Sequence, residues 1–298
     1  MKLHALVIRN IRLFFKDKGM VISSLITPLI LILLYVTFLK NVYVDSFNAA
    51  IKTAGVTLED TYINGFVYGW LFSSLVAVSG VTVSFCSNLL MVQDKVTGSI
   101  HDLRIATVSK AKISFAYYIA SMTETMLIVL FEILVGFIIM GVSGWYLSVV
   151  DVLGILFGSF LLVNFGTALS SIIHYFLTTQ GQMSAVGTLV STVYGFICGA
   201  YMPISQFGSG LQKVLSFLPG TYATALIRNH YEEGILKALV NECHFPQEIV
   251  NTMAQNFDIN LFFFDNKVSL LSCYLVLGGS IVLFLGVYIA LNLRKKAK

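Results

Sequence analysis

Glu124 and Glu132 are two acids that fall inside one long apolar run of the sequence. Eight residues apart, they share one face of a helix and sit about 12 Å from each other along its axis. An ionisable group at the centre of a membrane helix costs about 2.5–3.5 kcal/mol on insertion scales, so it faces a bundle interior or an aqueous cavity. Two roles follow from this. The carboxyls line a polar substrate route or act as a proton-linked switch, or they are hydrogen-bonded acids that lock helices together. Ser121, Thr123 and Asn164 are the candidate partners. Other reactive side chains are dispersed. His4, His101, His174, His230 and His244 share no spacing that would make a metal or catalytic site, and there is neither a His-Glu-x-x-His nor a Cys-x-x-Cys motif. No Gly-x-x-x-x-Gly-Lys-Ser/Thr loop occurs, so the chain does not bind ATP by a P-loop. The expectation is a chain with no catalytic residue, no metal and no cofactor of its own. Cys86, Cys198 and Cys273 fall in apolar runs, where a free thiol acts as a small hydrophobe.

The elements that position these residues must be membrane helices. Of 298 residues, 57% are hydrophobic and only 11% charged, where a soluble domain carries about 25% charged residues. Mean hydropathy is +0.83. These values exclude a disordered chain, a collagen-like fibre and an ordinary soluble enzyme. Long apolar runs in place of strand-like alternation exclude a transmembrane barrel. A crossing helix needs about 20 mostly apolar residues. Six stretches qualify: Gly19–Leu39, Phe66–Met91, Ile113–Met140, Val152–Phe176, Met183–Met202 and Val268–Leu293. Pro28 is expected to kink the first, which a membrane helix tolerates. The polar stretch before that span is too long for a secretory signal, so no removal is expected. Gly154, Gly158 and Ser159, then Gly187, Gly195 and Gly199, fit close helix packing. The fold class is therefore an all-α membrane protein forming one transmembrane domain over residues 1–298.

Six spans put both termini on one side. That side carries thirteen Lys and Arg against three acids, and the opposite side six against ten. Lys and Arg are retained in the cytoplasm, so both termini are expected there. The net charge of +4 reflects topology and not nucleic-acid binding. Residues 1–18 read as an amphipathic helix at the headgroup boundary, with Leu3, Val7, Ile11 and Phe14 on one face and Arg9, Arg12 and Lys16 on another. In the cytoplasmic loop 93–112, Gly98 breaks the span. Ser99 and Asp102 have capping-box spacing, and Ile100, Leu103 and Ala106 form a short apolar face. Such a helix is either a rigid peg that passes a push into the spans or a plain connector. The segment 203–267 is the large outer region. There Leu211, Val214, Leu215 and Leu218 have helical spacing that Pro219-Gly220 ends, and short helices are expected near Glu232–Cys243 and Pro246–Asn256.

This arrangement resembles the permease subunit of ABC exporters of the ABC-2 type. Gly98-Ser99-Ile100 followed by Leu103 and Arg104 is similar to that family's coupling segment, with His101 where an acid is usual and Thr107 near the place of a missing Pro. Met202-Pro203-Ile204-Ser205 and Leu218-Pro219-Gly220-Thr221-Tyr222 resemble its outer signature, from which the middle Pro is absent. The resemblance implies six spans, a coupling helix, and outer helices before the last span. It also implies two partners: ATP-binding cassette subunits, which hold ATP and Mg, and a second permease copy or paralogue. Gly98, Ser99, Ile100, Leu103 and Arg104 would couple to the ATPase. Pro203, Pro219 and Tyr222 would form an outer gate. Glu124, Glu132 and Asn164 would line the pathway or an interface. The expected activity is export of a hydrophobic or amphipathic cargo (a drug, lipid-like molecule or peptide) across a bacterial cell membrane. The alternatives are a stand-alone secondary transporter or channel, a polysaccharide-type exporter permease, and an assembly scaffold.

Overall fold

The structure is a computed structural model that describes residues 2–54, 58–105, 108–264 and 266–294. Helix α1 (Leu3–Lys16) is followed by α2 (Lys18–Leu34), a π turn (Tyr35–Leu39) and α3 (Lys40–Ala54). Asp17 separates the first two, and its carboxylate caps α2 by accepting from the backbone N–H of Gly19 and Met20. Next come α4 (Asp60–Ser87), α5 (Leu89–Val96), α6 (Ser99–Ile105), α7 (Lys110–Ser143), α8 (Val149–Phe176) and α9 (Gln180–Ile197). A short 3-10 turn (Ile204–Gln206), α10 (Ser209–Leu215), α11 (Pro219–Asn241), α12 (Gln247–Asn256), a two-residue hairpin (β1 Phe262–Phe263, β2 Asn266–Lys267) and α13 (Leu270–Arg294) complete the chain.

Among the described residues five helices are long and apolar enough to cross a membrane: Lys18–Ala49, Asp60–Val96, Lys110–Ser143, Val149–Phe176 and Leu270–Leu293. Among the described residues α9 is not one of them. It starts on Gln180-Gly181-Gln182 and carries Ser184, Thr188, Ser191 and Thr192, which dilute its apolar character. The bundle is built around α4. This helix is apolar on every side, and such a helix must be surrounded. All but a few of its residues from Ile63 to Ser87 are buried, and α2, α7, α8, α9 and α11 pack around it. The outward faces of the other spans carry exposed Leu33, Phe131, Leu153, Leu275 and Val282, the surface a lipid-facing helix needs.

Two local expectations are corrected here. The inward face of α1 is Leu6, Asn10 and Phe14, with Leu3 and Val7 at its edge, and Arg9 turns away from Arg12 and Lys16 to point into the bundle. The short helix expected at Glu232–Cys243 is the end of a 23-residue helix. Pro219 starts that helix, because its missing N–H and fixed φ suit the first turn. Gly154 of α8 faces His230, and Gly158 faces Ile227 and Leu226, so α11 runs antiparallel to α8 inside the bundle and does not cap its mouth.

Gly98 separates α5 from α6 with φ +84°, and a Cβ built there meets nothing within 4 Å. The glycine requirement is conformational. A Gly98→Val variant should lose about 1–2 kcal/mol through the left-handed backbone alone. A fall in the melting temperature of the detergent-solubilised protein would register this, and Gly98→Asn, which tolerates that conformation better, should recover part of it.

Candidate functional site

Facing helices leave a groove of about 1120 Å³ on one flank of the bundle. Helix α2 and the π turn after it form one wall with Ser23, Ile26, Thr27, Ile30 and Phe38. Helix α9 forms the other with Met183, Ser184, Gly187, Thr188, Ser191 and Thr192. Those α9 positions recur at steps of one and three, one stripe of a helix. The stripe is small and hydroxylated, while the flanking Ile26, Ile30, Phe38 and Phe196 are large, apolar and exposed. A Cβ at Gly187 meets nothing within 4 Å, so this glycine opens the groove and does not pack helices closely as its sequence neighbourhood implies. The back wall is Tyr43 and Phe257, at the end of the groove farthest from α1. A surface of this kind accommodates an amphipathic molecule, with hydroxyls for a few polar groups and side-chain carbon for the rest.

Behind that back wall lies the fully buried Arg228 of α11. Its guanidinium donates to the carbonyls of Phe257 (3.2 Å) and Gly199 (2.8 Å) and to Ser74 Oγ (3.0 Å), and it lies 4.6 Å from the centre of the Trp70 ring. The Trp70 indole N–H also donates to Phe257 (3.1 Å), and the rings of Tyr43 and Trp70 lie 4.3 Å apart. One cation therefore ties α4, α11, the end of α9 and the end of α12. By charge counting, Arg228 and Glu232 belong to the outer solvent side. The fold buries both, because α11 folds back among the spans.

The other end of the bundle holds the expected coupling segment. Ser99 opens α6 with its hydroxyl 3.0 Å from Thr97 Oγ1. Ile100 and Leu103 pack on the apolar cluster under α1. The backbone at Arg104 is helical, while its side chain, and all of Ala106 and Thr107, lie outside the described residues. The firm attachment of this segment comes from residues the sequence did not single out. Asp94, one turn before Gly98, accepts from both Arg9 guanidinium nitrogens (2.8 and 3.2 Å) and from the Tyr117 hydroxyl. Burial alone would lower the Arg9 pKa; the hydrogen-bonded Asp94 carboxylate outweighs this and raises it. Lys95 donates to the carbonyls of His174, Tyr175 and Leu177 (2.7–3.1 Å), capping the end of α8. Helix α5 is thus clamped to α1, α7 and α8 immediately before the peg.

Glu124 and Glu132 are buried on the α7 face turned to α4. The expected partners do not serve them. Ser121 donates to the Ser84 carbonyl, Thr123 to Ile119, and Asn164 accepts from Tyr118 at 3.0 Å. Ser87 stands beside Glu124 and Ser79 beside Glu132, an eight-residue spacing repeated on two antiparallel helices. The carboxyl oxygens and these hydroxyls lack a hydrogen bond. The two acids therefore lie in the core between α4 and α7 and do not line the groove.

Pro203, Pro219 and Tyr222 hold different posts. Pro203 is buried at the start of the 3-10 turn and borders the groove. The next two backbone N–H groups, of Ile204 and Ser205, donate to the Asp258 carboxylate. Burial raises the Asp258 carboxyl above the usual carboxylate range, opposed by Arg228 and those N–H groups. Pro219 begins α11, and Tyr222 is buried one turn later.

No curated protein matches the chain. Residues 1–230, from the amphipathic helix through the first half of α11, match the ABC-2 type transporter family. With that match over more than three quarters of its length and its five apolar spans, the chain belongs to the ABC-2 type transporter family and is a multi-pass membrane permease component of an ABC transporter.

Proposed function

We propose that this permease exports a hydrophobic or amphipathic molecule along the α2–α9 groove. ATP-binding subunits, which hold ATP and Mg, drive it by acting on Gly98, Ser99, Ile100, Leu103 and Arg104. In this reading α9 is the sixth span despite its hydroxyls, because a helix bordering a pathway needs less apolar surface than one facing lipid on all sides. Both termini are cytoplasmic on the charge distribution, in a bacterial cell membrane. A second permease, identical or related, closes the open side of the groove, and Pro203, Pro219 and Tyr222 border its outer exit. The groove is the observation that carries this reading: it is large, continuous, and lined by hydroxyls on one wall and exposed apolar side chains on its rim.

A Gly187→Trp variant tests it, since the added side chain enters open space and should not disturb folding. Inside-out vesicles carrying the permease and its ATP-binding subunits would be incubated with a panel of amphipathic dyes and fluorescent lipids. ATP-driven uptake should fall about tenfold, the loss expected when a misfit removes 1.4 kcal/mol of transition-state binding, with assembly unchanged. Undiminished uptake of every transported probe would remove the groove as the route. The unbonded carboxyls of Glu124 and Glu132 favour one other reading, a stand-alone ion-coupled transporter. Uptake by the permease alone under a pH gradient without ATP would establish that one instead.

A further inference from the structure

His230 and Glu233 of α11, three residues apart on one helical face, converge with Asp151 of α8 at the end of the bundle opposite α1. One ligand atom from each lies within 4.8 Å of the other two. His230 Nδ1 and Asp151 Oδ1 are 3.7 Å apart, close to the roughly 3.3 Å between neighbouring ligands on a tetrahedral ion with 2.0–2.1 Å bonds.

One tautomer of His230 suits a metal. His230 Nε2 is 2.9 Å from the Tyr274 hydroxyl of α13. With Nε2–H donating there, Nδ1 keeps its lone pair, and this buried nitrogen has no hydrogen-bond partner. An outer hydrogen bond that fixes the tautomer is the usual support of a metal-bound imidazole. Asp151 is prepared in the same way. Its Oδ2 accepts the Ser148 N–H and O–H in the capping box of α8, which leaves Oδ1 turned toward His230. Gly154, one turn along α8, leaves the room the imidazole occupies, since a Cβ there would lie 2.4–2.5 Å from three ring atoms. A shallow cavity of about 400 Å³ reaches Asp151 and Lys237, and the half-exposed Glu233 side chain opens the cluster to solvent.

We propose that Asp151, His230 and Glu233 bind a divalent transition ion of the zinc class, pinning α11 to the start of α8. One imidazole and two carboxylates neutralise the ion and select it over calcium or magnesium, which take oxygen ligands. Lys237 pairs with Glu233 (2.6 Å) and competes with the metal for that carboxylate. Removing this cation should therefore tighten binding. The site is independent of the transport route and of the coupling segment.

The test uses the full-length, detergent-purified chain stripped with chelator and titrated with zinc alone. About one ion per chain should be retained through gel filtration and should raise the melting temperature. Glu233→Gln, at a half-exposed position that folding does not depend on, should weaken binding about 10–100-fold, as loss of a ligand or its support does. Lys237→Ala should bind at least as tightly as the parent chain. Cobalt(II) substitution gives a reading that needs no variant: visible absorption of a low-coordinate nitrogen-oxygen site, bleached by stoichiometric zinc. Retention of well under one ion, equal affinity in Glu233→Gln, or a cobalt spectrum matching the hydrated ion would overturn the proposal.

Discussion

Replacing Asp94 by Asn is expected to uncouple the permease from its ATP-binding subunits and to destabilise the end of the bundle that carries α1. The carboxylate takes three hydrogen bonds, two from Arg9 and one from Tyr117, so it joins α1 and α7 to the helix that leads into the peg. An amide keeps the shape but removes the charge. The Arg9 guanidinium is then left half-buried opposite a neutral group that itself carries two N–H donors. Hydrogen bonds to charged groups are worth about 1.5–3 kcal/mol, and an orphaned partner adds its own desolvation. A loss near 3 kcal/mol follows, seen as a drop of several degrees in melting temperature. In vesicles, ATP hydrolysis by the partner subunits should persist while ATP-driven transport falls. Arg9→Gln should act in the same direction. The two changes together should cost clearly less than their sum, because each alone breaks the same contact. Strict additivity would mean that Arg9 and Asp94 do not act through each other, and the clamp would have no part in coupling.

That clamp also shows what a sequence of this kind conceals. The apolar runs are plain because a crossing helix must be long and uncharged: three of the six expected stretches fall within the spans that begin at Asp60, Lys110 and Val149, and a fourth, Val268–Leu293, starts two residues ahead of the span that begins at Leu270. A fifth, Gly19–Leu39, marks only the first part of a helix that continues through a π turn into Lys40 and beyond. Helix α9 was harder to judge. The hydroxyls that place it beside a groove are the same residues that lower its apolar character, so a span and a polar wall read alike. Helix α11 was misread for a sharper reason. Arg228, His230, Glu232 and Glu233 look like the surface of a soluble segment, and only tertiary partners 29 to 154 residues away make Arg228 a buried residue. Asp94 and Arg9 pose the same difficulty over 85 residues. Pairing at such distances carries no local pattern, whereas the peg, with Gly98 at positive φ and apolar residues three apart, is written in adjacent positions. The two glutamates are buried between α4 and α7. Their neighbours, Ser79 and Ser87, were missed because the matching spacing lies on another helix.

Arg228→Ala should be strongly destabilising. The guanidinium is fully buried, fills the space between Trp70 and the end of α12, and satisfies the Gly199 carbonyl and Ser74 hydroxyl. Removing it leaves a cavity, strands the Gly199 carbonyl, and takes away the positive charge nearest Glu232 and Asp258. Phe257 suffers less, since its carbonyl still receives the Trp70 N–H. Arg228 makes no ion pair with either acid among the described residues, so the cost is set by its three hydrogen bonds, each worth about 1.5–3 kcal/mol as bonds to a charged group. Arg228→Lys should fall between the parent and Arg228→Ala, because a point-like ammonium cannot reproduce the fork that reaches two carbonyls and a hydroxyl while lying on an indole face. The decisive variant is the pair Arg228→Met with Glu232→Gln. It restores volume and removes the stranded acid, so its melting temperature should exceed that of Arg228→Ala. If Arg228→Ala melts with the parent protein, the cluster contributes no net stability. If the paired variant melts no higher than Arg228→Ala, the loss comes from the missing hydrogen bonds and not from an uncompensated charge. Transport separates the cluster's role in the groove from its role in stability. Tyr43 and Phe257 form the back wall and rest on this cation. The paired variant should therefore regain stability before it regains transport, because a Met thioether supports no carbonyl and lets that wall shift.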